Sequence, residues 1–91
     1  MEIFKDRKKV YIKDESGRMI AFIMFPRVDD NTVNINRTVV DPSLRGQGIA
    51  GKLMEVAYEV IKEQGLKAIP SCSYAAAWFE KHPDKKDIVK E

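Results

Sequence analysis

The chain has 91 residues, of which 44% are hydrophobic and 33% are charged, and its formal net charge is +2. These values predict one modest hydrophobic core in a soluble domain, and they argue against a disordered chain or a nucleic-acid-binding surface. The single cysteine excludes an internal disulfide, and no signal peptide or membrane-spanning run is present, so we expect one cytoplasmic domain over residues 1–91 with no membrane partner, a monomer being favoured.

The first half of the chain predicts short antiparallel strands. Apolar segments at Met1–Lys5 and Lys9–Lys13 precede a turn signal at Asp14–Gly17, and an apolar strand follows over Arg18–Pro26. Because this last segment is apolar on both faces, we expect it in the centre of a sheet with both sides covered.

A further strand is predicted over Thr32–Val40, where apolar and polar residues alternate. The alternation puts Val33, Ile35 and Val39 on one face of this strand. Arg37 interrupts that apolar face, which indicates either a β-bulge or a functional side chain.

The most regular element is an amphipathic helix from about Gln47 to Gln64, which Gly65 ends. Its apolar stripe consists of Ile49, Leu53, Val56, Ala57, Val60 and Ile61. A short buried strand, Leu66–Ile69, and a second helix, from Tyr74 to about Lys81, follow it. This order predicts a mixed α/β fold with a mostly antiparallel sheet and one long and one short helix. The final strand should lie parallel to the strand before the long helix.

The turn between that strand and the long helix is the strongest indication of function. The first turn of a helix has N–H groups without intrahelical partners, and the helix dipole places partial positive charge there. Gly46 and Gly48 lack a Cβ atom, so a phosphate can approach the peptide plane closely, and Arg45 adds a cation. We call residues Arg45–Ala50 the glycine turn. It predicts a phosphate site, with a turn that binds no ligand as the alternative.

Arg45-x-x-Gly48-x-Ala50 resembles the R/Q-x-x-G-x-G/A signature of the GNAT superfamily of acyl-CoA-dependent N-acyltransferases. The segment Pro70-Ser71-Cys72-Ser73-Tyr74 is similar to a short GNAT-like group, so the resemblance covers residues 32–79. It implies a minimal acyl-CoA N-acyltransferase fold, acetyl-CoA as cosubstrate and an unidentified amine as acceptor. The implied CoA-binding residues are Val39 and Val40 for the acetyl and pantetheine groups, and Arg45, Gly46, Gln47, Gly48, Ile49 and Ala50 for the pyrophosphate.

The resemblance also implies an unusual acceptor side. Full-size GNAT enzymes have extra helices between their first two strands, and these helices help to form the acceptor site. The turn at Asp14–Gly17 leaves no room for them, so we expect an acceptor cleft that is open or is built by a partner. Asn34, Asn36 and Arg37 either hold the substrate or face water. By the same resemblance, the strand splays near Thr38–Val40 and up to Asp41, and a splayed strand can offer a free N–H to the thioester carbonyl oxygen.

Cys72 and Tyr74 are the candidate catalytic residues. Cys72 precedes a predicted helix N-terminus, which favours the thiolate, and three roles stay open for it: an acetyl-accepting nucleophile, a pocket-lining group, or a small core residue. By resemblance, Tyr74 protonates the departing CoA sulfur; its alternative is a tyrosine packed at a helix start. His82 is expected to cap a helix end in an exposed position rather than to act as a base.

Three functions are therefore compatible with the sequence. The first is an N-acetyltransferase that uses acetyl-CoA, the second a CoA-binding module without turnover, and the third a small interaction domain. No metal-ligand cluster is present in the sequence, so no metal site is expected.

Overall fold

The computed structural model describes residues 2–90 and shows a mixed α/β fold. The strands are β1 (Phe4–Lys5), β2 (Lys9–Lys13), β3 (Met19–Met24), β4 (Thr32–Asn34), β5 (Arg37–Val40) and β6 (Lys67–Ile69). The α-helices are α1 (Ile49–Glu63) and α2 (Ser73–Lys81), and 3₁₀ turns span Pro42–Leu44 and Pro83–Ile88. β1, β2, β3 and β5 form an antiparallel sheet in that order, while β4 and β6 pair in parallel. The predicted class is confirmed; Met1, included in the first predicted strand, lies outside the described residues.

Helix α1 begins two residues later than predicted. Gly48 is its N-cap and has φ +71°, a left-handed conformation that cannot continue into the helix, so Gln47 belongs to the turn. At the other end, Gln64 is the C-cap, and Gly65 with φ +72° turns the chain away. The predicted apolar stripe faces the core, and Ile49, Leu53 and Ile61 are buried in it.

The predicted strand over Thr32–Val40 is divided into β4 and β5 by a β-bulge. The amide of Asn36 donates to the Met24 carbonyl at 3.2 Å, although the register already places Arg37 opposite Met24. Asn36 and Arg37 therefore both lie opposite Met24, and the extra residue shifts the alternation of side chains along the strand by one position. The β-bulge predicted as one interpretation of Arg37 is therefore present.

The bulge also corrects the predicted faces of this segment. Val33 and Ile35 are fully buried in the core, but beyond the bulge Thr38 and Val40 lie opposite the buried residues Ile23 and Ala21 of β3. Val39 therefore points to the other face of the sheet, which contradicts its predicted position beside Val33 and Ile35. The parallel pairing of the last strand holds for β4, whereas β5 pairs only with β3.

One face of the antiparallel sheet packs against α1, and the opposite face is open. β3 is central, as predicted, but the prediction that both its sides are covered is wrong, because β2 and β3 are joined by a tight turn with no helix between them. We call the exposed side the open face. Its side chains are half-buried, and four of them form a row across the strands: Phe4, Tyr11, Phe22 and Val39.

The C-terminal segment is anchored to the fold. Ile88 is buried in the core, and Val89 forms a parallel bridge with Ala68 of β6. None of the helices within residues 2–90 is both long and apolar enough to cross a membrane.

Candidate functional site

The glycine turn is held at its entry by Asp41. The Asp41 carboxylate accepts hydrogen bonds from the backbone N–H of Ser43 at 3.0 Å and from its hydroxyl at 2.8 Å. These bonds, helped by the nearby Arg18 guanidinium, hold the pKa of the Asp41 carboxyl below its usual value. Asp41 therefore fixes the 3₁₀ turn over Pro42–Leu44 from which the chain enters the glycine turn. The strand was expected to splay near Thr38–Val40 and up to Asp41; its pairing partner changes earlier, at Ile35–Asn36.

Both glycines of the turn have left-handed backbones. Gly46 has φ +83° and Gly48 has φ +71°, and a Cβ atom added at either position would meet no atom within 4 Å. The surface above the turn is therefore open space. The first intrahelical bond runs from Lys52 N–H to the Gly48 carbonyl at 3.2 Å, so the preceding amides of α1 are available to an anion.

A cavity of about 340 Å³ lies between the glycine turn and the start of α2. Six of the eight predicted CoA-binding residues line it: Val40, Arg45, Gly46, Gly48, Ile49 and Ala50. The other two do not, because Gln47 is exposed in the turn and Val39 points to the open face. The structure thus brings most of the predicted residues into one groove.

Two lining residues were missed by the sequence reasoning, Leu44 and Gly51. Gly51 lies inside α1, where glycine is about 1 kcal/mol less favourable than alanine, and that unfavourable choice is the signal that could have identified it. Its small size lets another residue approach: the Tyr74 hydroxyl lies 3.7 Å from the position that a Gly51 Cβ would take.

Tyr74 lies in the same cavity as the glycine turn, although the two are far apart in sequence. It occupies the first turn of α2 and is half-buried. Burial raises the pKa of Tyr74, and the neighbouring Cys72 raises it further. Its hydroxyl is therefore protonated at neutral pH.

Cys72 caps α2 and does not line the cavity. Its Sγ accepts a hydrogen bond from the Ala75 N–H at 3.3 Å and lies 3.4 Å from the Thr38 hydroxyl of β5. The predicted place of Cys72 before a helix N-terminus is confirmed. The contact with Thr38 was not predicted, because it depends on the shift in alternation at the bulge.

Two backbone amides of β5 point into the space between β5 and the segment Pro70–Tyr74. The Asp41 N–H donates to the Ile20 carbonyl at 2.8 Å, which makes these residues a hydrogen-bonded pair of the antiparallel ladder. Alternation along the ladder then directs the amides of Thr38 and Val40 away from β3. We call this space the split. Before the split begins, the two segments are joined by a hydrogen bond from the Cys72 N–H to the Ile35 carbonyl at 3.1 Å.

His82 lies outside this site. It is the C-cap of α2, its Nδ1 is 2.7 Å from the Trp78 carbonyl oxygen, and its ring stacks on Trp78 at 4.2 Å. The predicted capping role is confirmed, although the residue is half-buried rather than exposed. Among residues 2–90, no cluster of three or more histidine, cysteine or carboxylate side chains could hold a metal ion.

Comparison with known proteins gives consistent matches. A family model described as GCN5-related N-acetyl-transferase matches residues 9–88. Protein NATD1 of Xenopus tropicalis is 32% identical over 63 residues, which are 69% of this chain and 58% of the NATD1 chain. The chain thus matches little more than half the length of that relative.

Two solved structures are similar in fold. A GCN5-like protein from Staphylococcus aureus has a TM-score of 0.78 and 37% identity, covering 98% of this chain and 87% of its own. A GNAT family acetyltransferase from Elizabethkingia anophelis, solved with acetyl-CoA bound, has a TM-score of 0.59 and 18% identity, covering 82% of this chain and 51% of its own. The second likeness concerns the fold alone.

Proposed function

The chain belongs to the GCN5-related N-acetyltransferase family, and we propose that it binds acetyl-CoA and transfers the acetyl group to an amine. The cavity carries this proposal, because an anion-binding turn and a protonated tyrosine meet in it. The fold neighbour from Elizabethkingia anophelis has acetyl-CoA bound, which supports the choice of cosubstrate.

In the proposed complex, the glycine turn binds the CoA pyrophosphate. The first amides of α1 donate hydrogen bonds, the helix dipole stabilises negative charge, and the Arg45 guanidinium adds a mobile cation. The open space above Gly46 and Gly48 fits this role, since no side chain prevents a phosphate from reaching the backbone.

In the split, two backbone amides can polarise the thioester carbonyl of acetyl-CoA. The Thr38 and Val40 amides are the donors that we assign to the thioester carbonyl oxygen, with Val40 also lining the cavity. Fixed amides stabilise the oxyanion that develops during acyl transfer, and one such donor contributes about 10²–10³ in kcat in other enzymes.

Acetyl transfer then proceeds by direct attack. The nitrogen of a neutral amine bonds to the carbonyl carbon, the C–S bond breaks, and the electron pair leaves with sulfur. Tyr74 donates its proton to that sulfur, and the acylated nitrogen releases one proton to solvent, so CoA leaves as the thiol. Because its pKa is raised, Tyr74 stays protonated until the C–S bond breaks.

We assign Cys72 a positioning role in this mechanism. Its Sγ caps the first turn of α2, two residues before Tyr74, and therefore orients the segment that carries the proton donor. Attack by the Cys72 thiolate on acetyl-CoA is the competing role. A serine at this position separates the two roles, because it keeps the cap and removes the thiolate.

The test combines calorimetric titration of the protein with acetyl-CoA and measurement of thiol release in the presence of a primary amine. Binding with amine-dependent thiol release supports the acetyltransferase. Binding without release would identify a CoA-binding module, and absence of binding would leave an interaction domain and refute the proposal.

A further inference from the structure

We propose that the acceptor is an amine that carries a carboxylate, and that Arg37 on the open face binds this carboxylate. The inference rests on the proposed function and specifies its substrate class. It comes from three observations: the direction from which an acceptor can reach the split, the exposed cation beside it, and the charge balance of the open face.

The acceptor reaches the split from the open face. The cavity for CoA is formed by the glycine turn, the first turn of α1 and Tyr74, all at the end of the split that α1 occupies. α1 also packs against the inner face of β2, β3 and β5. The amine must attack the carbonyl carbon from a direction that these elements leave free, and the open face provides it.

Arg37 lies at the edge of the split on that face. It begins β5, next to Thr38, and the bulge turns its exposed side chain outward. Its guanidinium carbon lies 5.7 Å from the centroid of the Phe22 ring. This cation–π contact positions the guanidinium, and no hydrogen bond within residues 2–90 occupies its N–H groups, which can bind a carboxylate with two parallel hydrogen bonds.

The charges of the open face are unbalanced. Lys9 pairs with Asp6 at 2.7 Å, but among residues 2–90 Arg37 has no carboxylate within 4.0 Å. Lys13 forms no ion pair within this range either, although it lines a surface pocket together with Glu2, Asp14 and Glu15. The Lys13 ammonium lies 4.6 Å from the centroid of the Phe4 ring instead. Arg37 is thus a cation without an anionic partner at the end of the apolar row, close to Val39 and the split, which complements a negatively charged acceptor.

A polar pair at the base of the split suits the amine end of such an acceptor. The Ser71 hydroxyl donates a hydrogen bond to Oδ1 of Asn34, which joins β4 to the segment that follows β6. The bond fixes the Asn34 side chain, and its oxygen keeps a second lone pair that can accept from an incoming amine N–H. Amine and carboxylate thus have separate partners.

The experiment compares two amines that differ only in the carboxylate. 6-Aminohexanoate and hexylamine have the same chain and the same reacting group, so the ratio of their kcat/KM values reports recognition of the carboxylate. We expect the parent protein to prefer 6-aminohexanoate by about tenfold or more at low salt. A peptide with lysine between glutamates, compared with one between glutamines, distinguishes a protein acceptor from a small molecule.

Variants locate the recognition. Arg37→Gln should bring the kcat/KM ratio close to one. Arg37→Lys should keep part of the preference for 6-aminohexanoate, because lysine retains the positive charge but lacks the paired N–H donors of the guanidinium. Lys81→Gln, which removes one exposed charge at the end of α2, is the control and should keep the parent ratio. A ratio near one in the parent, or a ratio unchanged in Arg37→Gln, would overturn the inference.

A second measurement does not depend on turnover. In the parent bound to CoA, 6-aminohexanoate but not hexylamine should shift the NMR resonances of the β5 amides and of the Arg37 side chain, and Arg37→Gln should abolish the shift. Failure of this binding overturns the inference even when both amines are acetylated. If 6-aminohexanoate binds as expected but neither amine gives thiol release, the result counts against the proposed function and not against carboxylate recognition by Arg37.

Discussion

The glycine turn can be tested with two matched substitutions at opposite ends of α1. Gly48 and Gly65 have nearly identical left-handed φ values of +71° and +72°, and a Cβ atom at either position would meet nothing within 4 Å. Gly48→Glu and Gly65→Glu therefore introduce the same side chain, the same charge and the same backbone strain of about 1–2 kcal/mol. Only the first places a carboxylate where the pyrophosphate is proposed to bind.

The expected difference follows from electrostatics. At a separation of 4 Å, two like charges repel by about 1 kcal/mol in water and about 4 kcal/mol at the effective dielectric near a protein surface. Since 1.4 kcal/mol corresponds to about tenfold in affinity, Gly48→Glu should weaken acetyl-CoA binding by roughly fivefold to several hundredfold. Gly65→Glu should bind within about twofold of the parent, because its charge is a whole helix away.

The assay is calorimetric titration with acetyl-CoA, accompanied by thermal melts of each variant. A glutamate is unfavourable at a helix C-terminus and favourable at an N-terminus, so Gly65→Glu should be at least as destabilised as Gly48→Glu. Loss of binding in Gly48→Glu alone therefore cannot be ascribed to unfolding. Equal affinities in the two variants would refute the assignment of the phosphate site.

Three further predictions concern the site and its support. Tyr74→Phe should keep acetyl-CoA affinity and lower kcat by about 10²-fold or more, and because burial raises the pKa of Tyr74 the parent kcat should fall only at a pH above the ordinary pKa of a tyrosine. Cys72→Ser should retain most turnover, whereas Cys72→Ala should lose part of it with the cap to Ala75; steady-state assays in which both variants are inactive would instead identify a nucleophile. The hydrogen bond from Lys62, at 2.9 Å in their ion pair, lowers the pKa of Asp87, so its contribution to stability is complete above the unfolded pKa and is lost as pH falls through the folded value. Urea unfolding below about pH 4 should therefore depend on pH less steeply in Asp87→Asn than in the parent, and equal slopes would contradict this.

The sequence predicted those parts of the fold whose signal is local. The stripe of α1, the glycines at its two ends and the short strand before α2 each follow from periodicity or backbone preference within a few residues. Faces and partners beyond the bulge could not be predicted. Strict alternation places Val39 in the core, and nothing in the letters Asn36-Arg37 specifies that both residues oppose Met24.

In the candidate site, too, residues with a local sequence signal could be predicted and tertiary contacts could not. The glycine turn is contiguous in sequence, and it contains five of the lining residues. Gly51 and Leu44 line the cavity because α1 and the 3₁₀ turn lie next to Tyr74 in the folded chain, and this proximity is not visible in the sequence. Likewise, the contact of Thr38 with Cys72 joins positions 34 residues apart. Such pairings depend on how β5 and the segment after β6 separate, which is a tertiary property.

A single extra residue at the bulge links the two halves of the proposed mechanism. With strict alternation through Thr32–Val40, Thr38 would point to the open face and could not contact Cys72. The bulge turns Thr38 and Val40 toward α1, next to the cavity, and leaves Arg37 and Val39 outside, where an acceptor approaches. It also coincides with the change of partner from β6 to β3, so that the strand opens the split at the position where its side chains change faces. Cosubstrate and acceptor can thus meet at one short strand from opposite sides.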